Sequence, residues 1–152
     1  PFNLADAVLD PDGLRHNLLL DTPEMNEGWK DLESALRSLH QQVASTNAQL
    51  VLVCIPAAVQ VDSSYWWSRN LGVRLDDRVL HDTEFQKRLA DFAEREHVAL
   101  IDLLPEMRSH PDQRLYYTQD GHWTPAGHEV AAAEIAKRLV PMILPLQAGH
   151  DW

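Results

Sequence analysis

Apolar residues along the chain change their period several times, and each change marks an element. From Asn26, a suitable N-cap, Trp29, Leu32, Leu36, Leu39 and Val43 recur at alternating steps of three and four, which lays one apolar stripe along a helix. The stripe predicts a long amphipathic helix. It leads into Leu50-Val51-Leu52-Val53-Cys54-Ile55, an unbroken apolar run closed by Pro56, the pattern of a strand covered on both faces of a parallel sheet. Thr83 and Gln86 form a capping-box pattern around Phe85 and ahead of Leu89 and Phe92, so a second helix is expected to run to about His97. Val98-Ala99-Leu100-Ile101-Asp102-Leu103 repeats the buried-strand pattern, and Pro105 stops it. Two helix-to-strand units in succession favour parallel strands joined by right-handed crossovers. Thr124 as N-cap and Pro125 at the first helical position open a last helix to about Val140, with Ala132, Ile135, Ala136 and Leu139 on one face; Pro141 and Pro145 are expected to end regular structure.

The intervening stretches are less regular. Residues 1–26 show no sustained period, and Pro11-Asp12-Gly13 and Thr22-Pro23 read as turns. Residues 57–81 mix charges with Tyr65, Trp66 and Trp67 and predict a partly helical excursion. Loops that leave the carboxyl ends of strands line the ligand crevice of α/β folds, so these aromatics are candidate substrate walls; packing of the excursion onto the core explains them more simply. Two strands are fewer than a doubly covered sheet uses. Residues 1–26, a further segment or a partner chain must supply the others.

Composition narrows what such a domain does. With 152 residues, 45% of them apolar, the chain has material for one sizeable core, and a single domain over 1–152 is the expectation. Thirteen basic against 23 acidic side chains leave a net charge of −10, which repels phosphate backbones and anionic lipid headgroups. Nucleic acid and membrane surfaces are therefore excluded as expected partners. No apolar stretch approaches the roughly 20 residues of a membrane-spanning helix. Cys54 is the only cysteine, so no internal disulfide forms, and its apolar setting predicts a buried, inert thiol.

The chemistry concentrates in Tyr116-Tyr117-Thr118-Gln119-Asp120-Gly121-His122-Trp123-Thr124-Pro125-Ala126-Gly127-His128. Asp120 and His122 stand two residues apart just before a capped helix, in a loop where an α/β sheet exposes functional groups. A carboxylate that accepts one imidazole N–H fixes the histidine tautomer and stabilises its protonated form, leaving the other ring nitrogen to act as a general base. Asp120 and His122 are thus the candidate catalytic pair. Read on spacing alone, the same residues also suit a capping or surface role.

This block, from Leu115-Tyr116-Tyr117 through Asp120-Gly121-His122-Trp123-Thr124-Pro125-Ala126-Gly127-His128 to the alanine-rich helix, resembles the SGNH, or GDSL, hydrolase superfamily. The Asp-x-His-Trp signature is most similar to the branch of bacterial polysaccharide O-acetyltransferase and O-acetylesterase domains related to the alginate-acetylation proteins. The exits of the 51–56 and 101–105 strands are similar to that superfamily too. The resemblance implies a three-layer αβα sandwich with a flavodoxin-like parallel sheet, the SGNH hydrolase fold, incomplete in this chain. It also implies a serine ester hydrolase or O-acetyl transferase that acts on acylated carbohydrate, with His122 as base, Asp120 as its partner and no cofactor. The residues leave the location open, and only the resemblance favours a periplasmic or extracellular one.

The chain departs from the family pattern at the nucleophile. It contains neither a Gly-Asp-Ser block nor a Gly-x-Asn-Asp block for the oxyanion contacts, so the resemblance implies the carboxyl-terminal part of a larger enzyme, with the serine on a missing segment or a partner chain. Ser63 and Ser64 follow the first strand but lack the glycine-flanked elbow that exposes a nucleophilic serine, and ordinary loop hydrogen bonding accounts for them. Asp120, His122 and His128 could supply three metal ligands, but the spacing is no familiar zinc pattern and a histidine at a helix start packs or bonds locally; no metal is expected. His81, His97, His110 and His150 read as surface or capping residues, Trp123 as a shield for His122 or a packing residue, and Asp102 as a brace for the loop after its strand. The alternative function is a non-catalytic SGNH-like module that binds carbohydrate or a partner.

Overall fold

The computed structural model describes residues 23–62, 81–118 and 121–147. Its elements in chain order are α1 (Pro23–Ser45), β1 (Val51–Cys54), a single turn α2 (Ala58–Val61), α3 (Glu84–Glu96), β2 (Ala99–Asp102), a short α4 (Leu104–Arg108) and α5 (Pro125–Gln147). β1 and β2 are neighbours in a small parallel sheet, so the chain is α/β as its periodicity predicts. The chain divides into two compact units. One comprises Pro1–Leu52 with Trp66–Leu100, the other Val53–Tyr65 with Ile101–Trp152.

In the first unit α1 and α3 carry the contacts. α1 begins at Pro23, three residues before the expected cap, because proline is preorganised for the first helical position. Asn26 lies inside the helix and accepts a hydrogen bond from Arg88 Nη1 at 2.8 Å. Trp29 packs edge-on against Phe85, with ring centroids 5.7 Å apart. Arg37 donates to Glu96 through Nε at 3.1 Å and Nη2 at 3.0 Å, and Arg95 pairs with Glu33. Leu89, Phe92, Ala93 and Val98 are buried. α3 starts where its sequence predicts, yet the cap differs: Thr83 makes no side-chain cap bond, and Asp82 Oδ1 instead accepts the Glu84 N–H at 2.8 Å. The helix ends on His97 in the left-handed conformation, its N–H shared between the Ala93 and Glu94 carbonyls.

The second unit gathers the carboxyl ends of both strands, α2, α4 and α5. Its buried residues include Cys54, Val59, Ile101, Leu103, Leu104, Met107, Leu115, Tyr116 and Ala131. Two expectations need correction. Full cover of β1 on both faces is not observed: Val53 is 39% exposed and Ile55, just beyond the strand, 58%, because the sheet among the described residues has only two strands and their helices to cover it. α5 also does not stop at Pro141 but continues through Pro145 to Gln147. Each proline removes one backbone donor and leaves the carbonyl four residues earlier without it; these belong to Lys137 and Pro141, both exposed residues, where a lost bond costs less than in a core. The segment 57–81 is helical at Ala58–Val61 as expected, while Tyr65, Trp66, Trp67, Ser63 and Ser64 lie outside the described residues.

Candidate active site

The candidate site lies wholly in the second unit and is built on the strand ends. At the end of β2, Asp102 Oδ1 accepts the Leu104 N–H at 2.9 Å and so starts α4, the bracing role its position predicts. The Leu103 N–H reaches the Cys54 carbonyl at 3.1 Å, tying the two exits together. The Cys54 thiol is buried, and desolvation, with a smaller contribution from the Asp102 charge, pushes it up to about 11. It stays protonated at neutral pH and is the inert thiol expected from its setting. On the β1 side, Gln60 Oε1 caps α2 by accepting the Ala57 N–H at 3.0 Å, and Arg108 Nε donates to the Gln60 carbonyl at 2.8 Å.

The described residues of the signature block pair as an irregular hairpin beside the exit of β1. Tyr116 and Trp123 form an antiparallel bridge, flanked by Thr124 N–H to Leu115 carbonyl at 2.9 Å and Tyr117 N–H to His122 carbonyl at 2.8 Å. Gly121 closes the turn at φ +70°, a left-handed conformation that side-chain-bearing residues rarely adopt, and donates to the Tyr117 carbonyl at 3.3 Å. The buried Tyr116 hydroxyl donates to the Pro56 carbonyl at 2.7 Å, which anchors the hairpin to the exit of β1. Such a buried neutral bond contributes about 1 kcal/mol.

The other strand of the hairpin runs straight into α5. Thr124 Oγ1 donates to the Arg114 carbonyl at 2.6 Å and accepts the Gly127 N–H at 3.2 Å, so one hydroxyl both caps the helix, as the sequence predicts, and pins the hairpin. Gly127 presses against the Leu115 backbone: a β-carbon there would collide with the Leu115 carbonyl oxygen and lie 3.1 Å from Trp123 Cβ. Glycine is the only residue that fits. Trp123 packs edge-on against Tyr116 (6.5 Å) and His128 (5.3 Å), which makes it a packing residue. Its indole N–H is buried without an acceptor among the described residues.

His122 is exposed at the open end of this hairpin. Asp120 lies outside the described residues, as does His150. His128 stands on the first turn of α5 against Trp123, the local packing expected of it. His81 and His97 are at the surface, and His110 contacts Glu106 Oε1 at 3.2 Å. Among the described residues no group of three or more histidine, cysteine, aspartate or glutamate side chains is arranged to hold a metal ion, and no helix is long and apolar enough to cross a membrane. What sequence reasoning missed was the anchoring role of Tyr116 and the packing demand on Gly127; both depend on partners, at 56 and 115, that no local pattern links to them.

Comparison with known proteins then decides the family. The family described as "SGNH hydrolase-like domain, acetyltransferase AlgX" matches residues 15–150. The chain belongs to this SGNH hydrolase-like family. It is also similar to the probable alginate O-acetylase AlgJ of Azotobacter vinelandii, with 23% identity over 135 residues, 86% of this chain and 32% of that protein. The chain therefore spans about a third of the relative's length. No solved structure matches it. Family membership agrees with the resemblance carried by the Asp-x-His-Trp block and with the α/β fold.

Proposed function

We propose that this SGNH-like domain carries the general-base half of an O-acetyl transfer site, with His122 as base and Asp120 as its orienting carboxylate, and that the acceptor is a polysaccharide hydroxyl. The observation that carries the proposal is the display of His122 on a hairpin fixed at three points: the Tyr116 hydroxyl on Pro56, the Thr124 cap and the close approach of Gly127 to Leu115. A base must hold its position to within a fraction of an ångström. Rigid support for an exposed histidine at the carboxyl ends of parallel strands suits that task, and those ends are where α/β folds place ligands.

In the proposed cycle a serine hydroxyl outside these residues attacks the carbonyl of an acetyl ester. His122 takes the hydroxyl proton as the Oγ–C bond forms and gives it to the departing alcohol, leaving an acetyl-serine. The acceptor hydroxyl then attacks, its proton passing to His122 and from there to the serine oxygen as the acetyl group leaves. Asp120 stabilises the imidazolium at each stage. Water in place of the acceptor would give ester hydrolysis by the same route.

The test uses the full-length protein, acetyl transfer to an alginate oligosaccharide and p-nitrophenyl acetate hydrolysis. His122→Ala is expected to lower both by about 10²–10⁴-fold, the usual share of a positioned acid-base group. Rates unchanged in His122→Ala would remove the catalytic assignment and leave the binding-module alternative.

A further inference from the structure

The hairpin register puts a second functional group beside the proposed base. Tyr116 pairs with Trp123, so by the same antiparallel count Tyr117 stands directly opposite His122, and the two are joined by the Tyr117 N–H to His122 carbonyl bond of 2.8 Å. Residues directly opposite on such a ladder project to the same side with Cβ atoms about 4.5–5.5 Å apart. The neighbouring tyrosine is accounted for by the fold, since Tyr116 is buried and its hydroxyl is held by Pro56. Tyr117 differs. The residue is 46% exposed, on a strand of the hairpin whose backbone is tied to His122.

A half-exposed aromatic side chain next to a base is a platform for a flat, partly apolar substrate. The pyranose ring presents one face of C–H groups, which carry the slight positive charge that the negative face of an aromatic ring attracts, and stacking removes apolar surface of both from water. Two rotatable side-chain bonds also mean little entropy is lost on binding. Resting on the proposed acetyl-transfer function, we propose that Tyr117 is a substrate-binding residue that stacks on the pyranose ring of the acceptor glycan and sets the acceptor hydroxyl beside His122.

The test uses the full-length protein with two probes, a mannuronate hexamer and cellohexaose, and measures calorimetric binding and the acceptor KM. Tyr117→Phe and Tyr117→Trp keep an aromatic face and are expected to bind within about twofold of the parent. Tyr117→Ala and Tyr117→Leu are expected to weaken binding and raise KM by roughly three- to tenfold, the loss of one aromatic contact, with kcat changed much less. A requirement for the ring and not merely for bulk is the signature, since Leu fills space as well as a structural role would need. Equal binding by all four variants would overturn the proposal, as would absence of binding of both hexamers by the parent protein. Glycan binding that depends on the ring while His122→Ala leaves acetyl transfer intact would instead uphold the platform and remove the base.

Discussion

The two units are held by different means, and the difference tells where geometry is fixed most tightly. In the first, the stripe of α1 is only half-buried or exposed, and side-chain pairs such as Arg37–Glu96 and Arg95–Glu33 span α1 and α3. Long charged side chains in water adapt to small shifts, so this unit tolerates change. The second unit is fixed by backbone: the Leu115 carbonyl against Gly127, the Pro56 carbonyl under the Tyr116 hydroxyl, and the Arg114 carbonyl on Thr124 Oγ1. Backbone contacts at these distances do not adapt. His122 sits on the second kind of scaffold.

Substitutions can sharpen this contrast. The largest effect is expected from Gly127→Ala, whose β-carbon would collide with the Leu115 carbonyl; overpacking of this kind costs about 3 kcal/mol, read as a lower midpoint in chemical denaturation, together with lost transfer activity. Thr124→Ala removes both a helix cap and the anchor on Arg114, for about 1–2 kcal/mol. Thr124→Ser keeps the hydroxyl and should recover most of it, whereas equal loss in both would show that the hydroxyl is not what matters. The smallest effect belongs to Arg37→Ala. Its pair with Glu96 is only partly shielded from water, so the change should stay within about 1 kcal/mol and shrink further in high salt. A larger loss from Arg37→Ala than from Thr124→Ala would reverse the comparison between the units.

Much of the described fold is legible in the residue pattern. The α1 stripe from Trp29 to Val43, the apolar runs of β1 and β2, and the Thr124-Pro125 helix start all appear where the pattern places them, because each is a local signal written within a turn or two. The misreadings share a cause. At α3 the residues Thr83 and Gln86 fit a capping box, but Thr83 makes no side-chain cap bond and the helix start is held by Asp82, which accepts the Glu84 N–H instead. Pro141 and Pro145 look like terminators until their lost bonds fall on exposed residues. The candidate site was legible as a motif, and Asp120-Gly121-His122-Trp123 pointed to the family that the comparison bears out.

The order of residues by itself determined the helix faces, the parallel strand pattern, the acidic balance and the signature that carries the family. These follow from side-chain type at fixed spacing and need no knowledge of distant neighbours. Only the tertiary structure decided that Tyr116 turns inward to Pro56 while Tyr117 stays in water, that Gly127 is demanded by a carbonyl twelve positions earlier, and that His122 stands opposite Tyr117. Those outcomes depend on which groups meet in space, and contact between residues far apart in the chain is settled by packing and hydrogen-bond satisfaction across the whole unit.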